Sequence, residues 1–437
     1  MTAAARIVLA ATVGLGVDES YAASVAHPIA LSYFDHPPLH FWIAGAAELH
    51  RGAGPLADLA VRLPFIALFA LTTWLMYLVT AHAFDARAGM YAALALNVSP
   101  VFSISTGSWV LPDGPLMCAW LAAVYCILRA DDSPRWWLGA GVATGLALLS
   151  KYHGVLLMGG IFLYLALAAR HWLARPWPYI AALIAIAMFT PVIVWNAEHQ
   201  WASFAFQLGR NAESHAPRLL ALAQNIGGQV AFVTPWVWIP LMLALVRVRQ
   251  PLFTTLGAIP IALFTLVSLG GNPGQPHWAA PGYLMLFPLL GRLASTWSAA
   301  RVRVWLITSA AVLVVAATVI AIFAPIDDLV DWRGIPGSKL VLAPSWIQAG
   351  KVSWALGPDV PVLCLCTSPH EFAFTHDQRD FIGQDALIVM RPRTAVDMLP
   401  RYAPYFASIT PYREIHIRGK LVVDVYLARD FQRPFPR

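Results

Sequence analysis

Apolar runs recur from the start of the chain to about residue 324, and they constrain the fold more than any other feature. "FIALFALTTWLMYLVTAHA", "PYIAALIAIAMFTPVIVW" and "VWLITSAAVLVVAATVIAIF" contain no Asp, Glu, Lys or Arg. About 20 such residues in a row fit the hydrocarbon core of a bilayer, where a helix satisfies its own backbone. The expectation is a polytopic all-α membrane protein. Composition agrees: 59% of the 437 residues are hydrophobic and 12% are charged, against about 25% charged in a soluble domain.

Eleven spans are expected, at 4–17, 63–82, 88–106, 113–129, 137–150, 154–170, 178–195, 222–246, 252–270, 278–292 and 303–324. The first and fifth are short. A start site placed too late would account for the first, which only three residues precede, and no cleavable signal peptide is apparent. The net charge of +6 is read by position, as flanks of apolar runs, and not as a nucleic-acid signal. With a cytoplasmic amino terminus, Arg6, Arg87, Arg129, Arg135, Arg170, Arg175, Arg247, Arg249, Arg292, Arg301 and Arg303 fall inside. The longer outer loops before residue 325 hold only Arg51, Arg62, Lys151, Arg210 and Arg218. That asymmetry obeys the positive-inside rule.

The expected division is a transmembrane domain over 1–325, with outer loops at 18–62 and 196–221, and a soluble outer domain over 326–437. Within the first loop, Leu39 to His50 reads as an interfacial helix anchored by Phe41, Trp42 and Ile43. In the last domain "VPVLCLC", "DALIVM" and "LVVDVYLA" read as strands and "AVDMLPRYA" as a helix, a small α/β unit. Cys118 and Cys126 lie in an apolar run and read as packing. Cys364 and Cys366 share one face of a strand, a poor placement for an unstrained disulfide. No repeat of fixed period is evident.

The informative ionisable groups stand at span ends. They are Asp18 and Glu19 ("GVDESY"), Asp35 and His36 ("YFDHPP"), Asp113 ("WVLPDGPL"), Lys151, Tyr152 and His153 ("LLSKYHG"), Glu198 and His199 ("VWNAEHQW") and His277 ("GNPGQPHW"). In the orientation above, all face outward. Of thirteen histidines only His82 and His171 fall inside. Each group has a plainer reading. Asp113 caps a helix, Asp18 is a solvated loop acid, Asp35 closes an Asx-turn before two prolines, Lys151 snorkels, and His277 and His199 sit at the surface. Convergence of six segments on one side favours a site. Histidine beside carboxylate permits a divalent metal or a phosphate-facing cation. No H-E-x-x-H, G-x-x-x-x-G-K-[ST] or G-x-S-x-G run occurs, so a metalloprotease, an ATP-driven pump and a nucleophile-elbow hydrolase are not indicated.

The segments "DESYAASVAHPIALSYFDHPPLHFWI", "VRLPF", "PDGPL", "SKYHG", "WNAEHQWASFAFQ" and "PHWAAPGYL" resemble membrane glycosyltransferases of the C-type fold. More narrowly, the chain is similar to bacterial family-39 enzymes, relatives of the protein O-mannosyltransferases and of the lipid A aminoarabinose transferase. The resemblance implies transfer of a hexose or pentose from a polyprenyl-phosphate carrier to a lipid, glycan or protein on the outer face of the bacterial inner membrane. It requires no nucleotide cofactor and no nucleic-acid partner. Asp18 matches the first-loop catalytic carboxylate, with Glu19 beside it. Asp35 matches an acid that, with a histidine matched by His199, helps hold a metal. Asp113 matches a further acid. The aminoarabinose transferase has Glu-Lys where this chain has Asp35-His36. The chemistry needs cations at the departing phosphate, and the candidates are His36, Lys151, Arg210 and His277, with Tyr152 and Asp113 beside them. A secondary transporter or lipid flippase is the alternative. Internal repeats and spans broken at the midplane would mark it.

Overall fold

The protein is described by a computed structural model that covers residues 3–48, 55–209, 217–323, 332, 334–417 and 419–436. About 70% of it is helical. The chain divides into two compact units. One comprises residues 1–7, 36–40 and 63–318, and the other 8–35, 41–62 and 319–437.

The first unit is a helical bundle around Trp120, Leu121, Val124, Leu256, Leu284 and Phe287. Its helices present large apolar side chains outward, among them Phe162, Leu167, Leu183, Ile186 and Ile307, as lipid-facing helices do. Helices pack closely where one lacks a side chain. A Cβ on Gly291 would lie 2.3 Å from the Ala88 carbonyl oxygen, so only glycine permits that crossing.

The membrane count differs from the expectation. Among the described residues, four helices are long and apolar enough to cross: Leu56–Ala83, Trp177–Glu198, Pro251–Gly270 and Ala299–Phe323. Two bent pairs raise the number to six if each is one span. These are Ala86–Val98 with Val101–Ser108, bent by 80°, and Arg218–Val233 with Pro235–Arg247, bent by 104°. At the second bend Thr234 has a φ of 74° and precedes Pro235; proline disfavours the helical conformation just before it. The expected spans at 4–17, 137–150 and 154–170 correspond to the shorter helices Ala3–Thr12, Trp136–Ser150 and Gly154–Ala168. Those at 113–129 and 278–292 correspond to Asp113–Arg129 and Ala280–Ala294.

Arg6, expected as a cytoplasmic flanking charge, is buried. Its guanidinium donates to Asn97 Oδ1 at 3.0 Å, Ser103 Oγ at 2.9 Å and the Ser103 carbonyl at 3.2 Å. Ser103 lies in a π-helical turn, Val101–Ser105, that follows the 80° bend, where backbone acceptors are displaced from the regular ladder.

The second unit carries a five-stranded sheet of β1 (Val341–Ala343), β2 (Val362–Cys364), β3 (Ala386–Met390), β4 (Phe406–Ile417) and β5 (Lys420–Phe431), in the order β2-β1-β3-β5-β4. β1 pairs in parallel with β2 and β3; β5 runs antiparallel between β3 and β4. The helix Trp346–Leu356 forms the crossover between β1 and β2, capped by Ser345 Oγ, which accepts from Gln348 N. The three strands and the helix expected here fall on β2, β3, β5 and Pro392–Tyr402. Cys364 ends β2 and Cys366 lies in the bend beyond it, which brings their sulfurs to 2.8 Å. The strand geometry expected to hold them apart stops at Cys364.

By compactness, residues 8–35 and 41–62, which include most of the expected first outer loop, group with the C-terminal sheet, and the chain's last division, at 318/319, lies near the expected 325/326. The helix Val17–Ser24 lies on the crossover helix. Ser24 Oγ donates to the Gly350 carbonyl at 3.0 Å, and Lys351 Nζ donates to the Leu15 carbonyl. A Cβ on Gly350 would lie 2.8 Å from Tyr21 Cα. Two of the expected headgroup anchors make contacts within the loop. Phe41 is buried with its ring 4.0 Å from that of Tyr33, and Trp42 Nε1 donates to the Ala30 carbonyl at 2.8 Å. Both aromatics serve packing of the loop.

Candidate functional site

Two groups of chemistry-bearing side chains stand out, one in each unit. In the second unit Asp18 lies in the first turn of Val17–Ser24 and is exposed, while Glu19 beside it is buried. Glu19 is fully engaged. Its Oε1 accepts from Arg62 Nε at 2.7 Å, and its Oε2 accepts from Arg62 Nη2 at 2.5 Å and from Gly16 N at 2.8 Å. Arg62 also donates to the carbonyls of Ala10, Val13 and Gly14. The pair ties the end of the first helix to the start of the next. Glu19 was expected as a second catalytic carboxylate; its oxygens accept from the guanidinium and the backbone at the start of this helix.

Asp35, from "YFDHPP", is also buried in this unit. Its Oδ2 accepts from the Tyr21 hydroxyl and its Oδ1 from His370 Nδ1. Glu371 N donates to the Tyr21 oxygen at 2.9 Å, and Glu371 Oε2 accepts from Phe34 N at 2.6 Å. Burial pushes the Glu371 carboxyl up to about 8, helped by the Asp35 charge and opposed by the bond from Phe34. Burial, with Asp35 and Glu371 nearby, also pushes the Tyr21 hydroxyl up, so it remains a donor. The His370 ring lies 4.6 Å from Trp346 and 5.7 Å from Phe34. Sequence reasoning placed no function on Tyr21, His370 or Glu371. The available signal was "SPHEFAF", a His-Glu pair set in aromatics within an otherwise polar stretch.

In the first unit Lys151 Nζ donates to both oxygens of Asp113 at 3.0 Å, and both residues are buried. Asp113 opens its helix, and Lys151 follows the end of Trp136–Ser150, so two helix ends supply the pair. His40 interacts with both charges, His153 and His277 interact with Asp113, and the His36 ring lies 5.8 Å from that of His40. Burial pushes the His40 imidazole down to about 3, against the pull of Asp113, so it is neutral at physiological pH. Of the expected residues, His36, Asp113, Lys151 and His277 thus gather here. Tyr152 bonds Ser203 at 2.6 Å through its hydroxyl. His199 stacks on Trp195 at 4.1 Å, with its Nδ1 2.7 Å from the Trp195 carbonyl. Arg210 lies outside the described residues.

For a metal ion the donors compare as follows. Among the described residues no group of three or more His, Cys, Asp or Glu side chains could hold one. Asp35 is occupied by Tyr21 and His370. The contact from His199 Nδ1 to a carbonyl leaves Nε2 as the basic nitrogen, the arrangement of a ligating imidazole.

A family model, dolichyl-phosphate-mannose-protein mannosyltransferase, matches residues 35–195. A search of curated proteins gives no match to the sequence. Among solved structures, the chain is similar to ArnT from Cupriavidus metallidurans bound to undecaprenyl phosphate. The TM-score is 0.66 at 18% identity, over 97% of this chain and 96% of that one. The apo state of the same protein aligns at TM-score 0.60 and 17% identity, over 97% and 96% of the two chains. The family resemblance read from the sequence therefore stands: this multi-pass chain has the fold of ArnT and carries over residues 35–195 the sequence pattern of the dolichyl-phosphate-mannose-protein mannosyltransferases.

Proposed function

We propose that the protein is a glycosyltransferase. It moves a hexose or pentose from a polyprenyl-phosphate carrier to a lipid, glycan or protein acceptor on the outer face of the bacterial inner membrane. The observation that carries this reading is the fold match to ArnT over nearly the whole of both chains, in a structure that holds a polyprenyl phosphate. In the proposed reaction the acceptor hydroxyl oxygen attacks the anomeric carbon. The bond from that carbon to the carrier phosphate breaks, and its electron pair stays on the phosphate oxygen. Asp18 takes the hydroxyl proton as general base. Lys151, His36 and His277 are the cations proposed for the phosphate, whose charge grows as the sugar leaves. Asp113 holds Lys151 in place, and the neutral His40 can donate a hydrogen bond without adding charge.

A divalent ion at Asp35 and His199 is a further proposal. The orientation of His199 supports it; the engagement of Asp35 by Tyr21 and His370 weighs against it. If a metal is required, EDTA and His199→Ala each lower transfer and added metal restores only the chelated wild type. An unchanged rate in EDTA ends that proposal.

The reaction is tested with purified protein, synthetic polyprenyl-phosphate hexose and pentose donors, and envelope lipids or proteins as acceptors. Labelled sugar should move to acceptor and leave polyprenyl phosphate. The two sharply bent helix pairs are the observation favouring a lipid transporter. Movement of the intact donor across proteoliposomes without transfer would establish that reading instead.

A further inference from the structure

We infer, building on that reading, that His370 and Glu371 are positioning residues of the transfer reaction, which hold the helix carrying Asp18 through Tyr21 and Asp35. Tyr21 stands one turn after Asp18 on Val17–Ser24. Its hydroxyl is the hub: it donates to Asp35 and receives Glu371 N. His370 closes the circuit on the other Asp35 oxygen, and Glu371 holds Phe34, the residue before Asp35. Four ring contacts surround the hub, from Trp346 at 5.2 Å, Phe372 at 5.9 Å, His370 at 6.2 Å and Phe41 at 6.5 Å.

The backbone carries a second mark. His370 has a φ of 55°, in the left-handed region that non-glycine residues enter only at a cost. Such conformations persist where the surroundings over-determine them, and they concentrate at functional sites. Here the conformation turns "SPHEF" so that His370 and Glu371, neighbours in the chain, reach different members of the circuit. Asp35 and His370 lie 335 positions apart in sequence.

Glutamine at 371 keeps an acceptor for Phe34 N, and alanine does not.

The test compares kcat and KM for wild type, Glu371→Gln, Glu371→Ala and His370→Ala, alongside amide exchange of residues 17–24. Glu371→Ala and His370→Ala should lower kcat by roughly 10- to 100-fold with KM little changed, the size expected of a misplaced catalytic group. They should also speed exchange in Val17–Ser24. Relative to alanine, Glu371→Gln should restore kcat. The inference is overturned if Gln and Ala at 371 behave alike. If wild type transfers no sugar, the glycosyltransferase reading fails. The exchange data then decide the positioning claim alone: equal protection in wild type and Glu371→Ala overturns it.

Discussion

Two adjacent acids, Asp18 and Glu19, take opposite parts because of one arginine. Arg62 fills Glu19 and leaves Asp18 the exposed member of the pair. The sequence shows both acids and cannot show which one is taken, since the partner lies 43 positions away. The same limit hid His370 and Glu371, which reach the first loop only through the tertiary fold. By contrast, Asp113, Lys151 and His277 stood out, because each sits at the end of an apolar run where an ionisable group is costly unless used, and His36 stood out beside Asp35 before two prolines. For the Asp113–Lys151 pair, structure and chemistry can be separated. Lys151→Met leaves the buried Asp113 carboxylate without its ammonium partner and should lower stability by about 3–5 kcal/mol. Asp113→Leu with Lys151→Met removes both charges and should recover most of that loss in thermal unfolding. If Lys151 faces the donor phosphate, the double variant stays inactive despite its recovered stability. Recovery of transfer together with stability would make the pair structural only.

At the scale of elements, the reading of apolar runs was sound where one run makes one straight helix. The spans expected at 63–82, 178–195 and 303–324 fall on Leu56–Ala83, Trp177–Glu198 and Ala299–Phe323. Where a run makes a short or bent helix, the match to a span is less direct, since hydropathy records burial and not direction: among the described residues four to six helices are long and apolar enough to cross. In the sheet, β2, β3 and β5 were legible; β1, of three residues, and β4, whose side chains are mostly exposed, were not. Nor was the crossover helix, whose apolar residues interleave with Gln348, Lys351 and Ser353. That helix carries the element-scale prediction. Gly350→Val forces atoms into Tyr21 Cα, where the backbone cannot yield cheaply. It should lower stability by about 1–3 kcal/mol and reduce transfer, while Gly337→Val, at a position with nothing within 4 Å of a Cβ, should do neither. Equal behaviour of the two variants, in thermal unfolding and in rate, would contradict the close packing of Val17–Ser24 on Trp346–Leu356.

For the molecule as a whole, the chain's order conceals its division. A polar tail after a run of apolar helices invites a cut at their junction, and composition supports one at 325/326. The fold also draws the loop after the first helix into the same unit as the sheet. The proposed base and the residues that position it therefore belong to one compact body, built from both ends of the chain. The direct test of this account is the rate of sugar transfer by Asp18→Asn, with Glu19→Gln measured beside it and folding of both checked by thermal unfolding. Asp18→Asn should fold as wild type does and lose about 10²- to 10⁴-fold in kcat, the usual worth of a general base. Glu19→Gln should show its main loss in stability. Wild-type turnover by a folded Asp18→Asn would contradict the account.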